Sequence, residues 1–213
     1  SVTVIAEAGV NHNGHLATAL ALVEAAVAAG ADFVKFQTFR ADRLSTRTAP
    51  KAGYQIDSTP LDQSHYEMLK ELELSEEEHF ALSDRAATLG IGFLSTPFDL
   101  ESLDFLVTEM GLDLVKIGSS DTSNLPLLVR VGQLGTRMIL STGMSTLLDV
   151  REALGAYVFG RLAVPGTHPD PTDFVGLSAS LEGLKVLSGS VSVLHCTSEY
   201  PAPVNHVNLA AMD

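Results

Sequence analysis

The chain has 213 residues, of which 46% are hydrophobic and 18% are charged. That composition is typical of globular domains and excludes intrinsic disorder. Lysine and arginine number 13 against 26 aspartate and glutamate, so the formal net charge is −13, and we expect no nucleic acid and no anionic membrane surface as a partner. No segment reaches the roughly 20 apolar residues of a transmembrane helix. Cys196 is the single cysteine, which excludes an internal disulfide and a four-cysteine zinc site and indicates a reducing cytoplasm.

Short apolar segments alternate with amphipathic ones along the chain. The predicted strands are Val2–Ala8, Asp32–Thr38, Gly92–Thr96, Asp113–Ile117, Met138–Thr142 and Val191–Cys196. The predicted helices include Ala17–Ala29, Leu100–Met110, Leu125–Leu134 and Thr146–Tyr157. A further helix begins at a capping box formed by Ser75 and Glu78 and ends at Leu89. Because the strands are apolar throughout, we expect burial on both faces, as in a parallel sheet covered by helices. Six such steps in succession favour an α/β barrel or a doubly wound sheet.

Two segments, Arg40–Ser64 and Phe159–Phe174, lack a clear period and are expected to be long loops with a functional or covering role. The sequence stops soon after the sixth predicted strand. A closed barrel needs about eight strands, so we expect this chain to lack the last units of such a barrel.

Two lysines interrupt apolar strands at equivalent places. The segment Ala31–Lys35 (ADFVK) resembles Leu112–Lys116 (LDLVK), and each follows a glycine that closes a helix. One interpretation is that both side chains reach from the strand end to water. The other is functional, because the carboxyl ends of strands form the active face of α/β barrels. Two ammonium groups there would bind phosphate or carboxylate, or one of them would form a Schiff base.

Glu7 is a second exception, a carboxylate inside the apolar segment VIAEAGV. Two readings stay open. Glu7 is either a structural partner for one of the lysines, or a proton relay that also orients a substrate hydroxyl. The polar turn that follows, Asn11–Gly14 (NHNG), can be explained by Asn13 capping the next helix, and it would equally suit a polyol ligand.

Hydroxyl side chains recur directly after four successive strands. They are Ser95 and Thr96, Ser119 and Ser120, Ser141 and Thr142, and Thr197 and Ser198. Each pair alone is ordinary at a strand end, but four pairs predict a cradle for phosphate or carboxylate, assisted by the N–H groups of helix starts. His195 lies in an apolar strand, where a core histidine is the expectation, and Cys196 is expected to be a small core residue.

Six segments of the chain together resemble the N-acetylneuraminate synthase family, which uses phosphoenolpyruvate to make sialic acid and related nine-carbon sugars. The matching segments are IAEAGVNHNG (5–14), VKFQTF (34–39), FLSTPFD (93–99), VKIGSSDTSNLPLL (115–128), ILSTGM (139–144) and LHCTSEYPAP (194–203). They occur in the family's order and extend through essentially the whole chain.

The resemblance implies a (β/α)8 TIM barrel that condenses phosphoenolpyruvate with an N-acylated amino-hexose, such as N-acetylmannosamine, and releases phosphate. It also implies a divalent metal ion, manganese or magnesium, and a homodimer. Residues 1–213 would be the N-terminal barrel domain, present as about six βα units. The metal ligands are expected beyond residue 213, and so is an antifreeze-like C-terminal domain.

The resemblance also implies roles for individual residues. The expected phosphoenolpyruvate contacts are Lys35, Thr96, Lys116, Ser119, Ser141 and Ser198, the expected amino-sugar contacts are Gln37 and Tyr200, and the acidic active-site positions are Glu7 and Asp121. Two alternatives remain. One is a Schiff-base aldolase that uses Lys116 or Lys35 as its nucleophile, and the other is a non-catalytic module that binds sugar phosphates.

Overall fold

The computed structural model describes residues 2–47, 49, 64–164, 166–197 and 202–212. They divide between two compact units, Ser1–Leu106 and Val107–Asp213. Each unit contains one parallel sheet of three strands together with its helices, which confirms the predicted α/β class. Across these residue ranges, no helix is long and apolar enough to cross a membrane.

The first unit alternates strands with helices. Its elements are β1 (Ile5–Gly9), α1 (Leu16–Ala28), β2 (Phe33–Thr38), α2 (Ala41–Leu44), α3 (His65–Leu72), α4 (Glu76–Leu89), β3 (Gly92–Pro97) and α5 (Leu100–Asp104). The strands lie in the order β1-β2-β3, and a π-helical turn, Phe105–Glu109, follows α5. The predicted loop Arg40–Ser64 begins with the short helix α2, and its residues 48 and 50–63 lie outside the described part of the chain.

Helix α4 begins and ends as its sequence predicts. The Ser75 hydroxyl accepts a hydrogen bond from the Glu78 N–H at 3.2 Å, and the Glu78 carboxylate accepts one from the Ser75 N–H at 2.8 Å. Gly90 ends the helix at a φ of +74°, where a side chain would be strained. A cap of this kind is typically worth about 1 kcal/mol. The start of α4 is therefore fixed in place, which matters for the histidine one turn further on.

The core of the first unit lies between its sheet and the helices α1 and α4. Phe36 and Val34 of β2 are fully buried and pack with Val23 of α1 and Leu82 of α4. Side chains alternate between the two faces of a strand. The residues between these apolar positions, Lys35 above all, are thereby directed to the face of the sheet that these helices do not cover.

The second unit repeats this plan. Its elements are β4 (Leu114–Ile117), a 3-10 turn (Ser119–Asp121), α6 (Leu125–Gln133), β5 (Arg137–Ser141), α7 (Leu147–Leu162), a 3-10 turn (Pro171–Asp173), α8 (Phe174–Ala179), α9 (Leu181–Ser190), β6 (Val191–Leu194), and 3-10 turns at Val204–His206 and Leu209–Met212. The strands lie in the order β4-β5-β6.

Helices α6 and α7 pack with their backbones in direct contact. A Cβ atom on Gly132 would lie 2.2 Å from the carbonyl oxygen of Tyr157, and one on Gly160 would lie 2.1 Å from that of Val129. The buried Tyr157 hydroxyl donates to the carbonyl of Thr136 at 2.9 Å, just before β5 begins. Burial raises the pKa of this phenol. These contacts fix α7 against the start of β5.

Some sequence predictions of the fold are wrong. The expected loop Phe159–Phe174 is shorter, because α7 continues to Leu162 and Phe174 already begins α8. Helices α8 and α9 were not predicted, since glycines such as Gly176 and Gly183 interrupt their apolar pattern. Burial on both faces also fails for β1, where Glu7 is exposed, and for β6, where the last three residues are exposed. Asn13 does not cap α1, whose N-cap is His15.

Candidate active site

Four polar side chains of the first unit share one face of its sheet. In the strand register, Glu7 is opposite Lys35 and Gln37 is opposite Thr96. These positions alternate with Phe36, which packs against the helices, so the four side chains belong to the other face. We call Glu7, Lys35, Gln37 and Thr96 the first lysine cluster. The structure thus brings four of the predicted site residues together.

The Lys35 ammonium is hydrogen-bonded to both neighbouring strands. Its Nζ donates to Glu7 Oε1 at 2.9 Å, lies 2.8 Å from Glu7 Oε2, and donates to Thr96 Oγ1 at 3.2 Å. Lys35 is 8% exposed, whereas 56% of the Glu7 side chain is exposed. The buried charge therefore has a partner that remains in contact with solvent.

A β-bulge shapes the edge of this cluster. The pairing of β1 with β2 shifts between Glu7 and Gly9, and Gly9 has a φ of +53°. A Cβ atom on Gly9 would lie 3.0 Å from Glu7 Oε1 and 3.6 Å from Gln37 Nε2. Glycine is therefore required here both by its backbone conformation and by the close approach of two polar side chains.

A buried hydrogen-bonded chain lies on the opposite face of the same two strands. Thr38 Oγ1 is 2.9 Å from His79 Nε2 and 2.7 Å from Ser95 Oγ. His79 Nδ1 lies 2.8 Å from the carbonyl oxygen of Ser75, the N-cap of α4. Desolvation by burial lowers the pKa of His79. We call Thr38, His79 and Ser95 the rear chain.

The second unit holds a cluster around Lys116. Lys116 Nζ donates to Ser141 Oγ at 2.5 Å and to the carbonyl oxygen of Ile117 at 3.1 Å. Ser119 Oγ and the carbonyl oxygen of Thr197 would each lie 3.3 Å from a Cβ atom on Gly143. The glycine thus permits a close approach of the polar groups around it. We call Lys116, Ser119, Ser141 and Cys196 the second lysine cluster.

Hydrogen-bond accounting fixes the direction of the Ser141 hydroxyl. An ammonium can only donate, so Ser141 Oγ accepts from Lys116, and it also accepts from the Cys196 thiol at 3.3 Å. Both lone pairs of the oxygen are then occupied. The hydroxyl proton of Ser141 is then directed away from both of these donors.

Asp121 is held by its own turn. Its two carboxylate oxygens accept from Ser120 Oγ and from Asn124 Nδ2, each at 3.1 Å. Asn124 is the N-cap of α6, so these contacts organise the turn that carries Ser119. Ser198 and Tyr200, the remaining predicted contacts, lie outside the described residues.

The histidines are arranged differently from what the sequence predicts. His195 is not a core residue, because it is exposed, follows the end of β6, and hydrogen-bonds through Nε2 to the carbonyl of Val207. Cys196, expected in the core, is partly exposed. The deeply buried histidines are His12 and His79. Sequence reasoning missed His79 because it follows three glutamates in the first turn of α4.

Potential metal ligands are not grouped in the described ranges. Among residues 2–47, 49, 64–164, 166–197 and 202–212, three or more histidine, cysteine, aspartate or glutamate side chains nowhere come together as a metal site. These residues therefore do not fit the divalent ion that the resemblance implies.

This chain belongs to the NeuB family, whose pattern matches residues 22–213. Over 209 residues it is 44% identical to the N,N'-diacetyllegionaminic acid synthase of Campylobacter jejuni and 46% identical to the synthase of the same name in Legionella pneumophila. These matches cover 98% of this chain but 55% and 52% of those proteins. The chain thus spans about half the length of the curated relatives it matches.

Solved structures match nearly the whole chain. The N-acetylneuraminic acid synthetase of Leptospira borgpetersenii, crystallised with citrate, is 27% identical and superposes with a TM-score of 0.72 over 99% of this chain and 60% of that one. The spore coat polysaccharide biosynthesis protein spsE of Bacillus subtilis is 31% identical, with a TM-score of 0.68 over 98% of this chain and 48% of that one.

Proposed function

We propose that the whole protein condenses phosphoenolpyruvate with an N-acylated amino-hexose to form a sialic acid or a related nonulosonate, releasing phosphate. The observation that carries the proposal is the repeated lysine cluster: Lys35 and Lys116 each donate to a hydroxyl of the following strand. In a protein of net charge −13, focused ammonium and hydroxyl donors are needed to hold a ligand that bears both phosphate and carboxylate. Membership of the NeuB family and the two legionaminic acid synthases support this choice.

The reaction makes one carbon–carbon bond, and at the adjacent carbon it forms a carbon–oxygen bond to water and breaks the one to phosphate. The electron pair of the enol double bond joins the methylene carbon of phosphoenolpyruvate to the aldehyde carbon of the open-chain sugar, whose oxygen takes up a proton. The adjacent carbon becomes an oxocarbenium ion, water adds to it and loses a proton, and phosphate leaves. Donors that stay in place as charge develops stabilise these states, because they need no reorganisation.

The same proposal assigns roles to individual residues. We propose that phosphoenolpyruvate is bound by Lys35, Thr96, Lys116, Ser119, Ser141 and Ser198, and the amino sugar by Gln37 and Tyr200. Glu7 is the candidate for stabilising the cationic carbon or carrying the proton, since its half-exposed carboxylate lies against Lys35. Asp121 supports the site through the turn that carries Ser119.

The names of the relatives suggest the sugar. Both legionaminic acid synthases are named for an N,N'-diacetyl product. Condensation with phosphoenolpyruvate adds no nitrogen, so both acetamido groups of such a product come from the sugar. We therefore propose an amino sugar with two N-acetyl groups in preference to N-acetylmannosamine, which carries one.

The wider assembly is part of the same proposal. We propose that the six strands belong to one (β/α)8 barrel, that residues 1–213 are its N-terminal part, and that the enzyme is a cytoplasmic homodimer. Support comes from the alternating order of strands and helices in each unit and from the likeness to the synthetase over 99% of this chain. The divalent ion, manganese or magnesium, would be held by residues other than those described.

The test is phosphate release by the full-length protein. Phosphoenolpyruvate is combined with sugars that carry one or two N-acetyl groups, with manganese or magnesium and then with EDTA. We expect release with the doubly acetylated sugar and its loss in EDTA. Binding of phosphoenolpyruvate without release for any sugar would favour a non-catalytic module. A lysine adduct trapped by borohydride would favour the Schiff-base aldolase.

A further inference from the structure

We propose that His79 is a positioning residue for the first lysine cluster, acting through the sheet from the face opposite to the ligand. The inference rests on the proposed function, since the ligand is phosphoenolpyruvate at Lys35 and Thr96. His79 touches neither residue in any hydrogen bond described above. It acts through the rear chain, the hydrogen-bonded group formed with Thr38 and Ser95.

The rear chain joins β2 to β3 at the level of the site. Thr38 follows Gln37 in β2, and Ser95 precedes Thr96 in β3. The bond from Thr38 Oγ1 to Ser95 Oγ, at 2.7 Å, therefore ties together the two strands whose opposite face carries Gln37 and Thr96. Both hydroxyls are buried, with Thr38 6% and Ser95 0% exposed.

His79 connects this tie to the start of helix α4. Its ring lies between Thr38 and the carbonyl oxygen of Ser75, at 2.9 Å and 2.8 Å. Phe105 packs edge-on against it, with ring centroids 5.8 Å apart. Because the capping box fixes Ser75, the ring of His79 is held in place. The ring in turn restricts the position of Thr38 and of its hydrogen bond to Ser95.

The direction of each hydrogen bond follows from the neutral ring. A carbonyl oxygen only accepts, so Nδ1 carries the proton and donates to Ser75. Nε2 then accepts from the Thr38 hydroxyl, and Thr38 accepts from Ser95. All three side chains are satisfied in this arrangement. A second proton on His79 would make Nε2 a donor, so Thr38 would have to accept from the ring and the hydroxyls of Thr38 and Ser95 would both have to reverse.

The groups that face His79 decide whether the second proton binds. The carbonyls of Ser75 and Gln37 and the carboxylates of Glu76 and Glu78 favour the protonated form, and desolvation opposes it more strongly, so the pKa of His79 is lowered. His12 lies near enough that His79 lowers the pKa of His12 in turn. The other charged groups around the cavity beside the ring are Arg40, Arg43 and Glu101.

That cavity gives the rear chain access to water. It measures about 240 Å³, and both Thr38 and His79 form part of its wall. Protons therefore reach the ring without passing through the ligand site on the other face of the sheet. We expect the ligand contacts of Lys35 and Thr96 to weaken when the ring becomes charged, because a buried charge and the reversal of both hydroxyls disturb the packing behind Thr96. A misplacement of about 1 Å can cost a hundredfold in rate.

The experiment uses the full-length enzyme and measures KM for phosphoenolpyruvate, kcat and the thermal midpoint. His79→Leu removes the acceptor for Thr38, and we expect KM at pH 8 to rise tenfold or more. His79→Gln restores an acceptor near the position of Nε2 and cannot be protonated, so KM should stay within threefold of wild type at pH 8. Thr38→Val removes the hydroxyl that joins His79 to Ser95. It should raise KM in the same way, and it replaces His79→Leu in the test if that variant does not fold.

The pH profile separates positioning from mere stability. Below pH 6.5 the ratio of wild-type KM to His79→Gln KM should rise, and taking this ratio cancels the ionisation of phosphoenolpyruvate itself. The matched control is Leu82→Ala, a fully buried position of the same helix, which should lower the thermal midpoint without the tenfold rise in KM. His168→Leu, in an exposed loop, should match wild type.

The outcomes are distinguishable. If wild-type enzyme releases no phosphate with any amino sugar, the proposed function fails. If wild type is active but KM is unchanged in His79→Leu and Thr38→Val, or rises equally in Leu82→Ala, the positioning role of His79 alone is overturned. Imidazole 15N shifts that place the proton on Nε2 at pH 8 would also overturn it, since the donor order of the rear chain would then be reversed.

Discussion

Lys35 and Lys116 occupy equivalent places in their two sheets. Each is the third residue of its strand, and each donates to a hydroxyl near the carboxyl end of the next strand along the chain, Thr96 for Lys35 and Ser141 for Lys116. The short sequence repeat around the two lysines thus corresponds to a repeated local structure. This repetition is what favours a ligand site over two unrelated strand-end lysines.

Replacing either lysine with methionine should weaken phosphoenolpyruvate binding without unfolding the protein. Truncating one partner of a buried charged contact typically costs about 2–5 kcal/mol, or tens- to thousands-fold in affinity. Lys35→Met leaves Glu7 unpaired, but its half-exposed carboxylate remains hydrated, so the thermal midpoint should change little. The measurement is ligand titration beside thermal melting. Lys185→Met, at an exposed position of α9, is the control, and unchanged affinity in both site variants would mean that the lysines are structural.

Cys196 should matter through the direction of the Ser141 hydroxyl. In Cys196→Ala one lone pair of the Ser141 oxygen loses its hydrogen-bond donor, so the Ser141 hydroxyl proton is free to rotate toward other acceptors. A neutral hydrogen bond is typically worth about 0.5–1.5 kcal/mol, so we expect phosphoenolpyruvate affinity to fall about two- to tenfold. Cys196→Ser keeps a donor and should stay close to wild type in the same titration. Equal losses in the two variants would show that the volume of the sulfur matters and its proton does not.

The segment between α7 and α8 should be dispensable for ligand binding. It leaves the C-terminal end of α7, and a helix that follows a strand in a parallel sheet runs back toward the amino ends of the strands, away from the second lysine cluster. Shortening the exposed residues 166–170 should leave phosphoenolpyruvate affinity within twofold. A tenfold loss, about 1.4 kcal/mol, would place this segment over the site.

Stability should fall in mild acid because of two buried histidines. Burial lowers the pKa of His12 and of His79 below 6.5, so the unfolded chain binds protons there more readily than the folded one. The free energy of unfolding is unaffected by these groups above pH 6.5. As the pH falls from 6.5 toward the lowered pKa values, the free energy of unfolding declines by up to about 1.4 kcal/mol per pH unit for each histidine. Urea denaturation between pH 8 and 5 measures the slope.

His79→Gln removes one of the two titrating groups and should flatten that slope. Leu82→Ala, at a fully buried position of the same helix that carries no titrating group, provides the comparison, because it should lower stability and leave the slope unchanged. A free energy of unfolding that rises between pH 7 and pH 5.5 would contradict the assignment of both rings as neutral in the folded protein.

The sequence identifies strands and polar strand-end residues well, because both depend on local pattern. All six predicted strands are present, and Glu7, Lys35, Gln37 and Thr96 share one face as the alternation of side chains requires. From the sequence, we expect Glu7 to be either a structural partner of a lysine or a proton relay. Its ion pair with Lys35 confirms that it contacts a lysine, and a chemical role for the same carboxylate stays a proposal.

The sequence does not predict what depends on register and packing. The glutamate-rich first turn of α4 predicts that His79 is exposed. The ring instead lies between α4 and the sheet, where it hydrogen-bonds to Thr38 and to the carbonyl of Ser75. The apolar neighbours of His195 predict burial, but the last three residues of β6 before it are themselves exposed. Neither outcome follows from periodicity, since each depends on which neighbours the fold supplies.

The hydrogen bonds that Lys35 and Lys116 make within the protein bear on which anions can bind there. An anion that approaches Lys35 or Lys116 does not meet an unused charge, because Glu7, Thr96 and Ser141 already accept hydrogen bonds from them. A ligand therefore replaces an oxygen atom that the protein already supplies. At Lys35 a monocarboxylate such as pyruvate would only replace the single negative charge of Glu7, so we expect the first lysine cluster to select small metabolites by their total charge before their shape.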